Sequence, residues 1–422
     1  MASLLLASLN LVTLVLFLAS FAFSVYSLVI FIAGLSSYWR RLKGDTGHPG
    51  TGDPTNDDPP PSPLPYISLI VAVKNEEEVI GRTLDAMMSL NYPKDRYEII
   101  VVEDGSTDNT PQLCAELAKK YPDTLKFFHK QASCGKPSAL NFGLARSGGE
   151  IIGVFDADSI PSSDTLNLVV SKFSSGTSAL QGFTTSSAKG GLLTRLICLE
   201  HDAWSNDCMM GRRRLSLFIP FSGSCQFIRR DLIEKVGGWN ERSLTEDMEI
   251  SVRLAAAGAQ VHYEPSLNCR EGIPSSLGAL YGQRLRWFRG WLELIIPSIR
   301  KSLGGKKLSD APFLLLSPLI FAMFPILWLI GFLSIAWVQL PALWLQSLLY
   351  PITLVSFLLL LVIAGVAVAY VERMAWYGGL LWIPMIFLYW GFLNVTAFVS
   401  LLQTLVMWPK RWVRTPKKML LD

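Results

Sequence analysis

The stretch YEIIVVEDGSTDNTPQLCAELAKKY, residues 97 to 121, places an apolar run, a polar cluster and a helix-like segment in immediate succession. Tyr97 to Val102 is short and rich in β-branched residues, which reads as a buried strand. Glu103-Asp104-Gly105-Ser106 ends it, and Thr110 to Tyr121 has the pattern of a helix. Working outward, ISLIVAV (67 to 73) runs into Lys74-Asn75-Glu76, and EIIGVF (150 to 155) runs into Asp156-Ala157-Asp158. Helix-like stretches at Glu78 to Leu90 and Lys136 to Ala145 separate these runs. The alternation predicts an α/β domain built on a parallel sheet. In such open sheets ligands bind beyond the carboxyl ends of the strands, where all three polar clusters fall, so a nucleotide-like ligand is expected. No G-x-x-x-x-G-K-[ST] is present, nor a strand followed by G-x-G-x-x-G, which argues against ATPase and dehydrogenase chemistry.

Composition frames this domain. The chain has 422 residues, 50% of them hydrophobic, with a mean hydropathy of +0.34, too apolar for an ordinary soluble globule. No charged residue precedes Arg40 and only eight follow Asp310, so a charged middle lies between two lipid-soluble ends. Disordered, collagen-like and secreted disulfide-scaffold classes are excluded by the same pattern. A formal charge of +4 does not suggest nucleic acid. The six cysteines form no C-x-x-C pair and only four histidines accompany them, which fits a reduced domain without a zinc site.

From Leu4 to Leu35 the chain is almost entirely apolar, longer than the roughly 7 to 15 residues of a signal-peptide core and enough to cross a bilayer. Trp39, Arg40, Arg41 and Lys43 follow, which places the N-terminus outside and the middle domain in the cytosol. Three further helices fit the charge-poor stretches, at about 312 to 338, 345 to 370 and 376 to 405. Three crossings would leave the basic tail outside, against the charge rule, so their number is left open. Gly44 to Pro65 is rich in Gly, Pro and Asp and reads as a linker. The expected organisation is a membrane helix at 1–40, a linker at 41–65, a cytosolic domain at 66–310, membrane helices at 311–408 and a basic tail at 409–422.

N-E-E at 75 to 77, E-D-G-S-T-D at 103 to 108, G-K-P-S-A-L-N at 135 to 141, D-A-D at 156 to 158, T-E-D at 245 to 247 and Q-R-L-R-W at 283 to 287 stand in one order along the chain. In that order and spacing they resemble membrane-integrated family 2 glycosyltransferases. The resemblance is to the processive synthases of chitin-like, poly-N-acetylglucosamine, hyaluronan, cellulose or mannan chains, and it covers Ile67 to about Trp291. It implies an α/β GT-A (Rossmann-like) cytosolic glycosyltransferase domain combined with α-helical transmembrane segments.

Asp156 and Asp158 flank one small residue after a strand, so both carboxylates can reach one divalent cation and the diphosphate it neutralises; otherwise Asp158 caps the helix after Pro161. The resemblance makes Asp158 the principal ligand of Mg²⁺ or Mn²⁺ and Asp156 a sugar-nucleotide contact. It makes Asp104 an acceptor for uracil or its ribose and places Glu76 in the first nucleotide loop. Glu103 stands where the family commonly has Asp. Lys136 follows Gly135 at a helix start, where backbone N–H groups and an ammonium favour phosphate.

Thr245 suits the N-cap of the helix that begins with Glu246 and Asp247, and the helix dipole is expected to keep a carboxylate there ionised. The resemblance assigns Asp247 as general base. Gln283, Arg286 and Trp287 share one helix face, with Trp287 suited to stack on an acceptor sugar and Arg286 to pair with the departing diphosphate. Arg284, Arg289 and Trp291 on the same helix suit a membrane interface. Phe221 to Cys225 resembles the loop beside the acceptor terminus. Arg212-Arg213-Arg214 reads as a headgroup or solvent patch. Trp412 to Lys417 is similar to the W/F-x-x-T-x-K loop that closes over donor in some members.

The expectation is an inverting, processive transfer from a UDP-sugar, UDP-N-acetylglucosamine first, to the end of a growing β-linked polysaccharide extruded through the plasma membrane. The alternative is a single transfer to a lipid acceptor. A degenerate nucleotide sensor on a transporter is opposed by the presence of both Asp158 and Asp247 and by spans without charge. Membrane lipids are expected partners, nucleic acid is not, and an accessory subunit or homo-oligomer is left open.

Overall fold

The computed structural model describes residues 2–42, 63–186, 190–302, 310–324, 381–410 and 415–418, with isolated residues between 354 and 379. Residues 43 to 62 of the expected linker, and all but isolated positions of the expected span at 345 to 370, lie outside the described residues. Helix α1 (Ala2–Leu42) is followed by β1 (Ile67–Val73), α2 (Ile80–Met88), β2 (Tyr97–Glu103), α3 (Thr110–Lys120), β3 (Leu125–His129), α4 (Lys136–Leu144) and β4 (Ile151–Asp156). These strands pair in parallel in the order β3-β2-β1-β4, with Val73 opposite Glu103 and Ala72 opposite Asp156. The chain leaves β1 on one side and returns on the other for β4, creating the switch point at which open α/β sheets bind ligands.

Beyond β4 the sheet becomes mixed and reaches eight strands, in the order β4-β7-β6-β8-β5, where β5 is Ile160–Pro161, β6 Ala179–Thr185, β7 Gln226–Arg229 and β8 Val261–Arg270. Among the described residues, the helices after β4 are α5 (Thr165–Ser174), α6 (Leu192–Asp202), α7 (Met210–Arg214), α8 (Arg230–Lys235), α9 (Glu246–Ala256), α10 (Leu277–Ser302), α11 (Ala311–Leu315) and α12 (Ile383–Leu405). A π-helical stretch, Ala203–Met209, joins α6 to α7. Because parallel strands are buried on both faces they read as continuous apolar runs. Ile67, Leu69 and Val71 pack with Ile80, Leu84 and Met87 of α2, whereas Ile70 joins Leu140 of α4 and Ile250 and Leu254 of α9 on the other face.

Among the described residues, two helices are long and apolar enough to cross a membrane, the Leu14–Gly34 portion of α1 and α12; of the span expected at 312 to 338, the part beyond Phe324 lies outside the described residues. Large apolar side chains point outward from both, among them Val15 (55% exposed) and Leu388 (64%). Helix α12 lies along α10, where Tyr389, Leu393 and Ala397 cluster with Leu280 and Phe288. Helix α1 meets the domain through two glycines: a Cβ on Gly34 would stand 2.3 Å from the Asp207 carbonyl oxygen, and one on Gly211 only 2.0 Å from that of Ile30.

The arginine run corrects the sequence reading. Arg212 is fully buried and pairs with Asp310, donates to Tyr26 Oη at 2.7 Å and to the Phe218 carbonyl at 2.5 Å, while Arg214 donates to the Ala33 carbonyl at 2.6 Å. The run therefore rivets α1 to the domain instead of forming a headgroup or solvent patch. Asp310 also accepts from the Phe218 amide at 2.8 Å. Asp310→Ala is expected to destabilise the protein by about 3–5 kcal/mol, the cost of leaving a buried charge without its partner. The check is the unfolding midpoint in detergent, with Arg212→Met added to Asp310→Ala recovering part of the loss; an unchanged midpoint for the single variant would sink the argument.

Candidate active site

The carboxyl ends of β1, β2 and β4, the start of α9 and the middle of α10 enclose a cavity of about 540 Å³. The candidate substrate, catalytic and metal residues line it: Glu76, Asp104, Lys136, Asp156 and Asp158 from the sheet side, Glu246 and Asp247 from α9, Gln283, Arg286 and Trp287 from α10. Lys417, Glu271, Glu200 and Arg284 join them.

Charges alternate across its floor. Lys136 Nζ lies 2.5 Å from Asp156 Oδ1 and 3.2 Å from Glu246 Oε1, and it donates to the Gly223 carbonyl at 2.8 Å. Lys417 Nζ lies 2.7 Å from Asp158 Oδ1 and 3.4 Å from Asp156 Oδ2. Burial alone would raise the Asp156 carboxyl, but Lys136 and then Lys417 hold it well below the usual carboxylate range. Lys417 arrives on β10 (Lys417–Lys418), which pairs antiparallel with β9 (Ile273–Pro274), and Ser275 N donates to the Pro416 carbonyl at 3.0 Å. Of the tail motif, Trp412 to Arg414 lies outside the described residues. Asp158 Oδ2 accepts from the Gly272 amide at 2.9 Å. With the next helix starting at Thr165, the capping alternative for Asp158 does not hold.

Asp104 is held by four groups: Oδ1 by the Cys134 amide (3.1 Å) and Lys130 Nζ (3.2 Å), Oδ2 by Ser133 Oγ (2.9 Å) and the Gly135 amide (2.8 Å). In this arrangement it fixes the loop that leads into α4. Glu103, the departure from the common aspartate, accepts from the Ser106 amide in the loop after β2 and contacts His129 Nδ1 at the end of β3 at 2.5 Å, so it ties that loop to β3.

Asp247 requires a correction. Its carboxyl is pushed up to about 7, first by burial and then by the charge of Glu246, against the opposing pull of Lys136 and the Met248 amide. Desolvation outweighs the helix-terminus field that was expected to keep it ionised. Thr245 is a second correction, because its hydroxyl makes no capping bond and has no partner among the described residues. It is pressed against α10, where a Cβ on Gly290 would come within 2.4 Å of Thr245 Oγ1. Gly223 carries φ +88°, and a Cβ there would stand 3.4 Å from Asp247 Oδ2 and 3.7 Å from Lys136 Nζ. The loop from Phe221 to Cys225 thus brings backbone up to Asp247 and Lys136.

On α10, Arg286 donates to the Leu244 carbonyl at 3.2 Å. Arg284 and Arg289 are buried, contrary to their expected interface role: Arg284 is gripped by Glu200 and Arg289 by Glu293 and the Trp408 and Pro409 carbonyls. The same cavity is lined by apolar side chains as well, Phe23 and Ile30 of α1, Leu314 of α11, Phe321, and Leu393 of α12. Glu271 and Glu200 carry no sequence motif and went unrecognised; Lys417 had the tail motif as its signal.

A sequence model described as glycosyltransferase like family 2 matches residues 63–290. The chain is 37% identical over 233 residues to a probable glycosyltransferase, YdaM, of Bacillus subtilis, covering 54% of this chain and 55% of that protein. It is 35% identical over 259 residues to a beta-monoglucosyldiacylglycerol synthase of a Nostoc species, covering 58% and 54%. It is 28% identical over 245 residues to the poly-beta-1,6-N-acetyl-D-glucosamine synthase of Staphylococcus epidermidis, covering 58% of each. The matches span about half the length of these relatives. Among solved structures, the mannosyltransferase PcManGT from Pyrobaculum calidifontis in complex with GDP-Man and Mn²⁺ aligns with a TM-score of 0.57 at 22% identity, over 92% of this chain and 100% of that one. That likeness concerns the fold.

Proposed function

We propose, from the premise that this chain belongs to glycosyltransferase family 2 and is a glycosyltransferase of the GT-A fold, that it transfers one sugar from a UDP-sugar to a lipid acceptor. The observation that carries the acceptor is the lining of the cavity, to which Asp247 and apolar side chains of α1, α11 and α12 all contribute. Acyl chains gain free energy by leaving water for such a lining, and a lipid head group held there would present its hydroxyl at Asp247. The Nostoc relative, by its name, makes a glucosyl diacylglycerol.

In this reading Asp247 takes the proton of the acceptor hydroxyl, whose oxygen attacks the anomeric carbon. Configuration inverts. Arg286 and Lys136 supply positive charge where the diphosphate departs. The residues fit a divalent cation: one ammonium, that of Lys417, already stands within reach of both Asp158 Oδ1 and Asp156 Oδ2, so their oxygens converge on a single cation position. Sites of this kind take one or two carboxylates and leave the remaining positions to phosphate and water. Mg²⁺ or Mn²⁺ held by Asp158 and Asp156 would neutralise charge on the leaving UDP. Glu76 and Asp104 border the nucleotide, and Gln283 and Trp287 the acceptor. The domain division given by the sequence, a multi-pass membrane protein with its catalytic domain in the cytosol, belongs to the same reading.

A second reading, processive polymer synthesis with extrusion, is supported by Trp287, whose ring is braced by a guanidinium and suits stacking on a terminal sugar. The test is UDP release by the protein in nanodiscs with Mg²⁺ or Mn²⁺ across UDP-glucose, UDP-N-acetylglucosamine and other UDP-sugars, with and without added diacylglycerol. Release that requires lipid and yields a single-sugar, solvent-extractable product is expected. Long water-soluble chains formed without lipid would select the polymer reading, and the absence of release from any UDP-sugar would overturn both.

A further inference from the structure

A chain of contacts ties the last described apolar helix to Trp287. Arg284 is 1% exposed and sits with its guanidinium carbon 4.2 Å from the Trp287 ring centroid. Glu200 of α6 grips that guanidinium with both oxygens, Nη2 to Oε2 at 2.6 Å and Nε to Oε1 at 3.2 Å, while Nη1 donates to Gln283 Oε1. Tyr389 of α12 then donates its hydroxyl to Glu200 Oε2 at 2.5 Å. Three helices are thereby joined through one carboxylate.

Each link is directional. A carboxylate that meets a guanidinium through two parallel bonds fixes the plane of the guanidinium as well as its position. A guanidinium over an aromatic face in turn fixes where that ring lies. Removing the Tyr389 hydroxyl or the Glu200 charge therefore changes where Trp287 stands without removing any group from the reacting atoms.

We infer that Glu200 and Tyr389 are positioning residues for the acceptor, acting on Trp287 through Arg284, so that the seating of α12 sets the acceptor site while leaving the donor site alone. The inference rests on the reading of Trp287 as the acceptor platform given above. The donor side has its own supports, since Asp156, Asp158 and Lys136 are held by Lys417, Gly272, Glu246 and Gly223, none of which belongs to this chain of contacts.

The experiment compares Glu200→Gln, Tyr389→Phe, Arg284→Lys and Trp287→Ala in nanodiscs, varying acceptor at saturating UDP-sugar and UDP-sugar at saturating acceptor. Glu200→Gln is expected to raise the acceptor KM about tenfold, in keeping with a charge-assisted bond lost between a half-buried carboxylate and a buried guanidinium. Tyr389→Phe, which keeps the ring and loses one hydroxyl, should raise it about threefold. Arg284→Lys retains the charge without the planar fork and should resemble Glu200→Gln. Donor KM should stay within about twofold of wild type throughout, which marks an effect confined to one substrate. If Trp287→Ala leaves the acceptor KM unchanged, the acceptor platform itself is misassigned. If Trp287→Ala raises it while Glu200→Gln and Tyr389→Phe do not, the platform stands and the positioning inference falls. A parallel rise in both KM values, or a fall in kcat alone, would make these residues supports of the fold and overturn the inference.

Discussion

On the proposed function, Asp247→Asn is expected to lower kcat by about 10²- to 10⁴-fold, the range a positioned general base contributes, while donor binding is retained. The substitution keeps the shape of the side chain and its bond from the Met248 amide, which is 2.8 Å from Oδ1 in the wild-type protein, so the loss is chemical. The wild-type pH profile carries a second signature. A base with its pKa raised to about 7 is protonated and inactive on the acid side, so kcat/KM should climb about tenfold per pH unit up to that value and level off above it. Glu246→Gln removes the like charge that helps raise Asp247 and also frees Lys136, 3.2 Å away, to draw Asp247 down. Both changes have the same sign, and the inflection should move to lower pH. Stability follows from the same shift. The folded carboxyl binds its proton more tightly than the unfolded one, so its contribution is present at low pH and lost as pH rises through about 7. Above that pH Asp247→Asn should melt higher than wild type. An unmoved inflection in Glu246→Gln, or full activity in Asp247→Asn, would remove Asp247 from the chemistry.

The parallel half of the sheet is legible in sequence because β1, β2 and β4 are buried on both faces and leave uninterrupted apolar runs. The mixed half is not. Strand β8, VHYEPSLNCR, interleaves polar residues, and its pairing with β6 shifts register between Gly182 and Phe183, a long-range event that no local pattern announces. At the site, neighbouring residues such as Asp156 and Asp158 are legible because one turn carries both. Properties set by distant packing are missed. Thr245 fails as a cap because α10 presses on it, Asp247 is raised by burial and by Glu246, and Arg212 is claimed by Asp310 from 98 residues away. Glu200 has only its neighbours in space, Arg284 and Tyr389, to mark it.

Asp158 and Lys417 should respond to substitution with opposite signs, and that opposition tests the cation position. Asp158 uses one oxygen to accept from Gly272 and turns the other toward Lys417. In Asp158→Asn the amide oxygen can keep the first bond, while the NH₂ group faces the place where a cation must sit and repels it. The fold is retained and, on the proposed metal site, the principal ligand is lost. Mn²⁺ affinity, read by electron paramagnetic resonance without donor, should fall well over tenfold, because losing even an outer-sphere support costs about 10- to 100-fold. Transfer should fall about 10²- to 10³-fold, as when one preorganised group facing the developing charge is removed. Lys417→Met does the reverse to the bare site. It withdraws the ammonium that stands 2.7 Å from Asp158 and 3.4 Å from Asp156, leaving two carboxylate oxygens aimed at one point with no charge between them. Mn²⁺ should then bind more tightly without donor, even though transfer slows because the tail no longer brings a positive charge to the diphosphate. Equal Mn²⁺ affinity in Asp158→Asn and wild type, or weaker binding in Lys417→Met, would place the metal elsewhere and reduce the Lys417 contacts to a structural tie between β10 and the end of β4.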